Sequence, residues 1–118
     1  MCMSVRIAGI GGEGLKVKTG VLTNIGKEYV EIPLGFKPVQ IVVEIYHKDG
    51  SFRTTQVYDS RVSETTVQKV GQDTNNTLGM PTEVSALFSN DGKSFKVKDG
   101  YGATWPILRY TAISRYKD

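Results

Sequence analysis

Gly9, Gly11 and Gly14 stand in the spacing of a dinucleotide-binding turn, G-x-G-x-x-G, after the short apolar run Val5–Ile10. Glu31 follows at roughly the 20-residue distance where such a site places its ribose-binding acid. That chemistry needs a helix whose N-terminus meets the pyrophosphate, with the third glycine letting the helix pack on the sheet. Here the next residues are Leu15–Thr23 (LKVKTGVLT), rich in β-branched types and interrupted by Gly20. They predict a strand, and no βαβαβ repetition follows. The glycines therefore read as a turn, and no cofactor is assigned.

His47 is the one histidine and Cys2 the one cysteine. With no second histidine and no thiol nearby, no transition-metal ligand set can be composed. His47 reads as a polar residue at a strand end. Glu44, Asp49, Asp59 and Glu64 fall on neighbouring predicted strands or turns, but a glycosidase needs a facing pair in a cleft. Glu44 sits on the less apolar face of its strand and reads as solvated or salt-bridged. Asp73, Asn75 and Asn76 offer oxygens to a hard cation such as Ca²⁺, but their spacing lacks the EF-hand pattern, so no metal is assigned. No catalytic set is found, and the chain is expected not to be an enzyme.

Binding is the remaining chemistry. Tyr101, Trp105, Tyr110 and Tyr116 group near the C-terminal end. Aromatic side chains in loops at the tip of a β scaffold stack on sugar rings and protein partners. Tyr110 reads as core. Tyr101 lies between two glycines in a turn and is expected to be exposed, with Trp105 beside it. Gly71–Pro81 (GQDTNNTLGMP) is the longest polar stretch and predicts a surface loop, in the simplest case a crossover between sheets. Loops on rigid scaffolds often carry function. Tyr101, Trp105, Asp73, Asn75 and Asn76 are therefore the candidate ligand- or partner-binding residues.

The elements that must hold these residues are strands. Ile32–His47 (IPLGFKPVQIVVEIYH) opens with a Pro- and Gly-fixed bend and becomes a β-branched run. Val39, Ile41, Val43 and Ile45 share one face, and Gln40, Val42, Glu44 and Tyr46 the other, which predicts the central strand on a core. Leu15–Thr23 and Glu28–Ile32 alternate as well and are expected to pair as a hairpin. Gly20 suggests a bulge or a close backbone approach. Asp49-Gly50 signals a hairpin into Phe52–Asp59, with Phe52 and Tyr58 placed on one face. Arg61–Val70 predicts an edge strand, and Glu83–Ser89 a strand with Val84, Ala86 and Phe88 aligned. Asp91-Gly92 turns into Ser94–Lys98, with Phe95 and Val97 inward, and Asp99–Gly102 marks another turn. Trp105–Tyr116 closes the chain. Leu108, Tyr110 and Ala112 share one face, while Ile107 and Ile113 on the other hint at burial on both sides. About eight short strands with regular turn signals predict an all-β fold: an antiparallel β-sandwich, jelly-roll-like, in one domain over residues 1–118.

The 118 residues suffice for one unaided core. Fifteen basic against 12 acidic residues leave a net charge of +3, spread from Arg6 to Lys117. That is an ordinary solvated surface and not a nucleic-acid footprint. No internal disulfide is possible. The N-terminal residues lack the h-region of a signal peptide, and no apolar run has the ~20 residues a membrane helix needs. Synthesis in a reducing cytoplasm is expected.

The phrase Leu34–Pro38 (LGFKP) followed by Val39-Gln40-Ile41-Val42-Val43 resembles a motif of small bacteriophage and prophage virion proteins, mostly tail-fibre, tail-tip and related appendage domains. Asp91–Trp105 (DGKSFKVKDGYGATW) looks like the hairpin that often follows it, and Leu108–Ser114 (LRYTAIS) is similar to its closing strand. The resemblance implies a structural component of a tail or other appendage, made in the bacterial cytoplasm and resident in the virion. It implies a homo-oligomer, a trimer favoured, in contact with other virion proteins. A carbohydrate-binding module that recognises a cell-surface glycan is the alternative.

Overall fold

The computed structural model describes residues 14–23, 25–71, 78–98 and 106–116. Among the described residues there are seven strands: β1 (Val17–Thr23), β2 (Val30–Pro33), β3 (Gln40–Tyr46), β4 (Phe52–Asp59), β5 (Gln68–Gly71), β6 (Ser94–Val97) and β7 (Ile107–Ile113). All pair antiparallel, in a five-stranded sheet of order β1-β7-β3-β4-β5 and a two-stranded sheet β2-β6. The fold is all-β and sandwich-like. No helix of the described residues is long and apolar enough to cross a membrane.

The period-2 pattern of β3 does what it predicts. Ile41, Val43 and Ile45 are fully buried, and β3 is the middle strand of the large sheet. Each such side chain contributes about 1.5–3 kcal/mol through burial. Leu108, Tyr110 and Ala112 of β7 and Thr54, Gln56 and Tyr58 of β4 extend the same inner face. The small sheet supplies Phe95 and Val97 to this core, with the Phe95 ring edge-on to Tyr110 at 5.3 Å between centroids.

β1 and β2 do not form the expected hairpin. β1 runs beside β7, and β2 beside β6. Gly20 explains part of this choice. It lies opposite Tyr110, and a Cβ at Gly20 would meet the Tyr110 ring at 2.5 Å. The glycine is thus the close approach its position suggested. The β3–β4 hairpin forms at Asp49-Gly50, where Gly50 takes φ +93°. Its register slips by one residue between Ile45 and Tyr46, so Tyr46 faces Phe52. The slip moves Phe52 off the inner face, and it does not share a side with Tyr58 as the plain alternation expects.

Two predicted strands change character. Of Arg61–Val70 only the end is regular strand, as edge strand β5. Before it the Asp59 backbone carbonyl accepts from the N–H groups of Val62 and Ser63, and Ser63 Oγ accepts from those of Thr65 and Thr66. These local bonds compete with the ladder. Glu83–Ser89 holds a 3₁₀ turn over Val84–Ala86, with Leu87 fully buried behind it. The predicted surface loop Gly71–Pro81 also ends differently. Leu78, Gly79, Met80 and Pro81 are buried, because the Leu78 and Met80 side chains join the core. The expected strand Val5–Ile10 and turn Asp99–Gly102 lie outside the described residues.

Candidate functional site

The inner face of the large sheet is occupied by the core. Its outer face is not. Strand alternation directs Val17, Thr19, Val21 and Thr23 of β1 outward, with Ile107, Arg109, Thr111 and Ile113 of β7. Gln40, Val42, Glu44 and Tyr46 of β3, Thr55 and Val57 of β4, and Gln68 and Val70 of β5 continue it. The register aligns them in rows across the strands. One row reads Thr19, Thr111, Val42, Val57, Gln68, and the next Val21, Arg109, Glu44, Thr55, Val70. At one end Tyr46 and Phe52 meet edge-to-face at 5.9 Å.

This surface is unusually apolar for one facing solvent. Val21 and Val70 are each 61% exposed, and Val17 and Phe52 each 52%. No lysine of the described strands projects from it: Lys18 and Lys69 fall on the inward alternation. Lys18 instead reaches across to the Pro33 carbonyl at 2.7 Å. Apolar, aromatic and arginine residues without lysine are the composition of a protein interface. The two charges in its central rows are Glu44 and Arg109, direct cross-strand neighbours. Neither is ion-paired with a described residue. They border a shallow cleft of about 290 Å³ with Thr19, Gly20, Val21, Tyr110 and Thr111.

A second feature is the turn that follows Phe88. Ser89 Oγ and the Lys93 N–H both donate to Asp91 Oδ1, at 2.7 and 2.9 Å, which holds the Asp91 carboxyl below its ordinary range. A polar groove of about 410 Å³ beside this turn is lined by Glu31, Ser89, Asn90, Asp91, Ser94 and Lys96. It is open and carries no buried polar group aimed into it.

The titratable candidates do not converge. His47 is exposed at the β3–β4 turn, and Asp49 is engaged by the Ser51 N–H and hydroxyl. Glu64 is exposed in the turn before β5. Asp59 is buried in a clamp of its own with Gln40, Arg61 and Tyr116. Among the described residues no three His, Cys, Asp or Glu side chains group as a metal site. Tyr101, Trp105, Asp73, Asn75 and Asn76 lie outside the described residues. The outer face itself is absent from the sequence-derived candidates. The signal that points to it is the pair Ile107 and Ile113, apolar on the side of β7 away from the core. None of the family models, curated proteins or solved structures compared with the chain matches it.

Proposed function

We propose that this protein is a non-enzymatic structural and interaction component of a phage or prophage particle, in a tail or other appendage, and that it assembles as a homo-oligomer. One observation carries the assembly reading: the lysine-free, apolar outer face of the five-stranded sheet, with Val17, Val21, Phe52 and Val70 left to solvent in the single chain. Leaving such a surface uncovered costs free energy, and burying it against protein recovers the hydrophobic term. The resemblance around Leu34–Val43 supports placement in a virion appendage, where symmetric assembly is the rule. Glycan recognition would rest on Tyr101 and Trp105, so the described surface favours assembly.

The test is the solution mass by size-exclusion chromatography with light scattering, over a range of concentrations. The expected result is an integer multiple of the 13.0 kDa chain. A monomer at every concentration contradicts the assembly reading.

A further inference from the structure

The outer face carries information about its own occupant. Glu44 and Arg109 are opposite in charge and directly adjacent on β3 and β7, and neither forms an ion pair with a described residue. A surface of this kind is complementary to itself under a two-fold rotation. We infer that the occupant is a second copy of this chain, related by a two-fold axis that lies in the interface and runs along the strands between β3 and β7. This rests on the assembly reading above and specifies the partner and the geometry.

The register decides what such an axis brings together. It lays β3 of one copy across β7 of the other. Glu44 then faces the partner's Arg109, and Arg109 the partner's Glu44. In the same operation Val42 faces the partner's Thr111, Tyr46 the partner's Ile107, and Val21 the partner's Thr55. In the two central rows apolar positions meet threonine and each charge meets its opposite, with no like charges opposed, while in the end row Ile113 meets the partner's Gln40 and Val17 the partner's Asp59. A foreign partner would need its own matching pair at this spacing, whereas a second copy supplies it by symmetry.

The size of the face also suits a dimer. The four strands this axis overlaps, β1, β7, β3 and β4, lie about 4.8 Å apart and run about seven residues at about 3.3 Å each, a flat area of roughly 440 Å² per copy before side-chain relief. Two copies together come to roughly 900 Å² of flat area, close to the roughly 1,000 Å² at which specific interfaces begin, and side-chain relief adds to it. Sheets that pack face to face keep their strands within about 30°, which the pairing of β3 on β7 accommodates.

The experiment is a charge exchange read by light scattering and sedimentation. Wild type, Glu44→Arg, Arg109→Glu and the double exchange are compared at matched concentrations. Circular dichroism confirms that each is folded. The wild type is expected to be a dimer. Either single reversal opposes like charges twice across the axis and is expected to weaken dimerisation by roughly 100-fold or more. The double exchange restores opposite charges and is expected to recover most of the affinity. A further variant guards against a folding defect at the charged pair. Val21→Lys is at a position already exposed in the single chain, so the monomer tolerates it, and it is expected to be monomeric.

An oligomer whose mass ignores all of these changes, a wild-type trimer among them, overturns this inference and leaves the assembly reading standing. A double exchange that stays dissociated while folded overturns the reciprocal pairing. A wild-type monomer at every concentration overturns both.

Discussion

Asp59 shows how one residue holds distant parts of the chain together. Its carboxylate is buried at the end of β4 and accepts from Gln40 Nε2 at 3.0 Å, the Arg61 N–H at 2.9 Å and the Tyr116 hydroxyl at 2.5 Å. The same hydroxyl lies 3.0 Å from the Val39 carbonyl, and the Arg61 guanidinium stacks 3.4 Å above the Tyr116 ring. The Arg61 side chain is largely exposed, so its ion pair with Asp59 adds little. Burial raises the carboxyl pKa, but the hydrogen bonds from Tyr116, Gln40 and Arg61 outweigh it, and Asp59 is held well below the usual carboxylate range. A folded-state pKa below the unfolded value of about 3.9 stabilises the fold fully above that pH, and the contribution is lost as pH falls below it. Asp59→Asn is therefore expected to lower stability at neutral pH and to flatten the loss of stability below about pH 4, measured by urea denaturation across pH. Tyr116→Phe should cost about 1–3 kcal/mol at pH 7 in the same assay. An acid limb in Asp59→Asn as steep as in the wild type contradicts the clamp. Nothing local in the sequence reveals this cluster, since Gln40, Asp59 and Tyr116 are far apart in the chain. Tyr116 reads there as one of several C-terminal aromatics.

Elements were legible where one period dominates. The strands β3, β4, β6 and β7 follow from apolar alternation, because a strand half-buried on a core must put every second side chain inward. Glu83–Ser89 misleads for a specific reason. Val84, Ala86 and Phe88 alternate, but Val84, Leu87 and Phe88 also stand at i, i+3 and i+4, and the fully buried Leu87 selects the turn. Leu78–Met80 is hidden by the polar residues before it. That segment is stitched to β4 by the buried amide of Gln56, whose Nε2 donates to the Leu78 carbonyl at 3.1 Å and whose Oε1 accepts from the Met80 N–H at 2.7 Å. Gly79 exchanges backbone bonds with Lys98 and takes φ +78°. A Cβ there would strike Gln56 Oε1, so the glycine serves both the left-handed backbone and the amide packed against it. Gly79→Ala is expected to destabilise the fold by at least about 1–2 kcal/mol in chemical denaturation, from the left-handed backbone alone. Stability equal to wild type would remove Gln56 and Gly79 from the account of this segment.

At the scale of the molecule, the large sheet joins the first and last of the described strands. β7 enters between β1 and β3, so the middle of the sheet completes only when Ile107–Ile113 arrives. Period and turn signals specify strands but not their order, which is why the β1–β2 hairpin is a reasonable expectation and the wrong partner. The order leaves β1 and β5 as the two edges, and among the described residues neither pairs with a strand beyond it. Open edges offer a second route to assembly, by strand addition. Amide hydrogen exchange on the oligomer separates the routes. In a face-to-face pair every amide of β3 and β7 is bonded within its own sheet and exchanges slowest, near the rate of global opening. The outward-pointing amides of β1 and β5 stay fast, because covering a sheet face leaves its edges as they were. Assembly through an edge would instead protect every second amide of β1 or β5 to the level of β3. Fast edge amides in a protein of twice the chain mass are the outcome expected here. Slow ones would place the contact at the strand edge, and the apolar outer face would then still await its occupant.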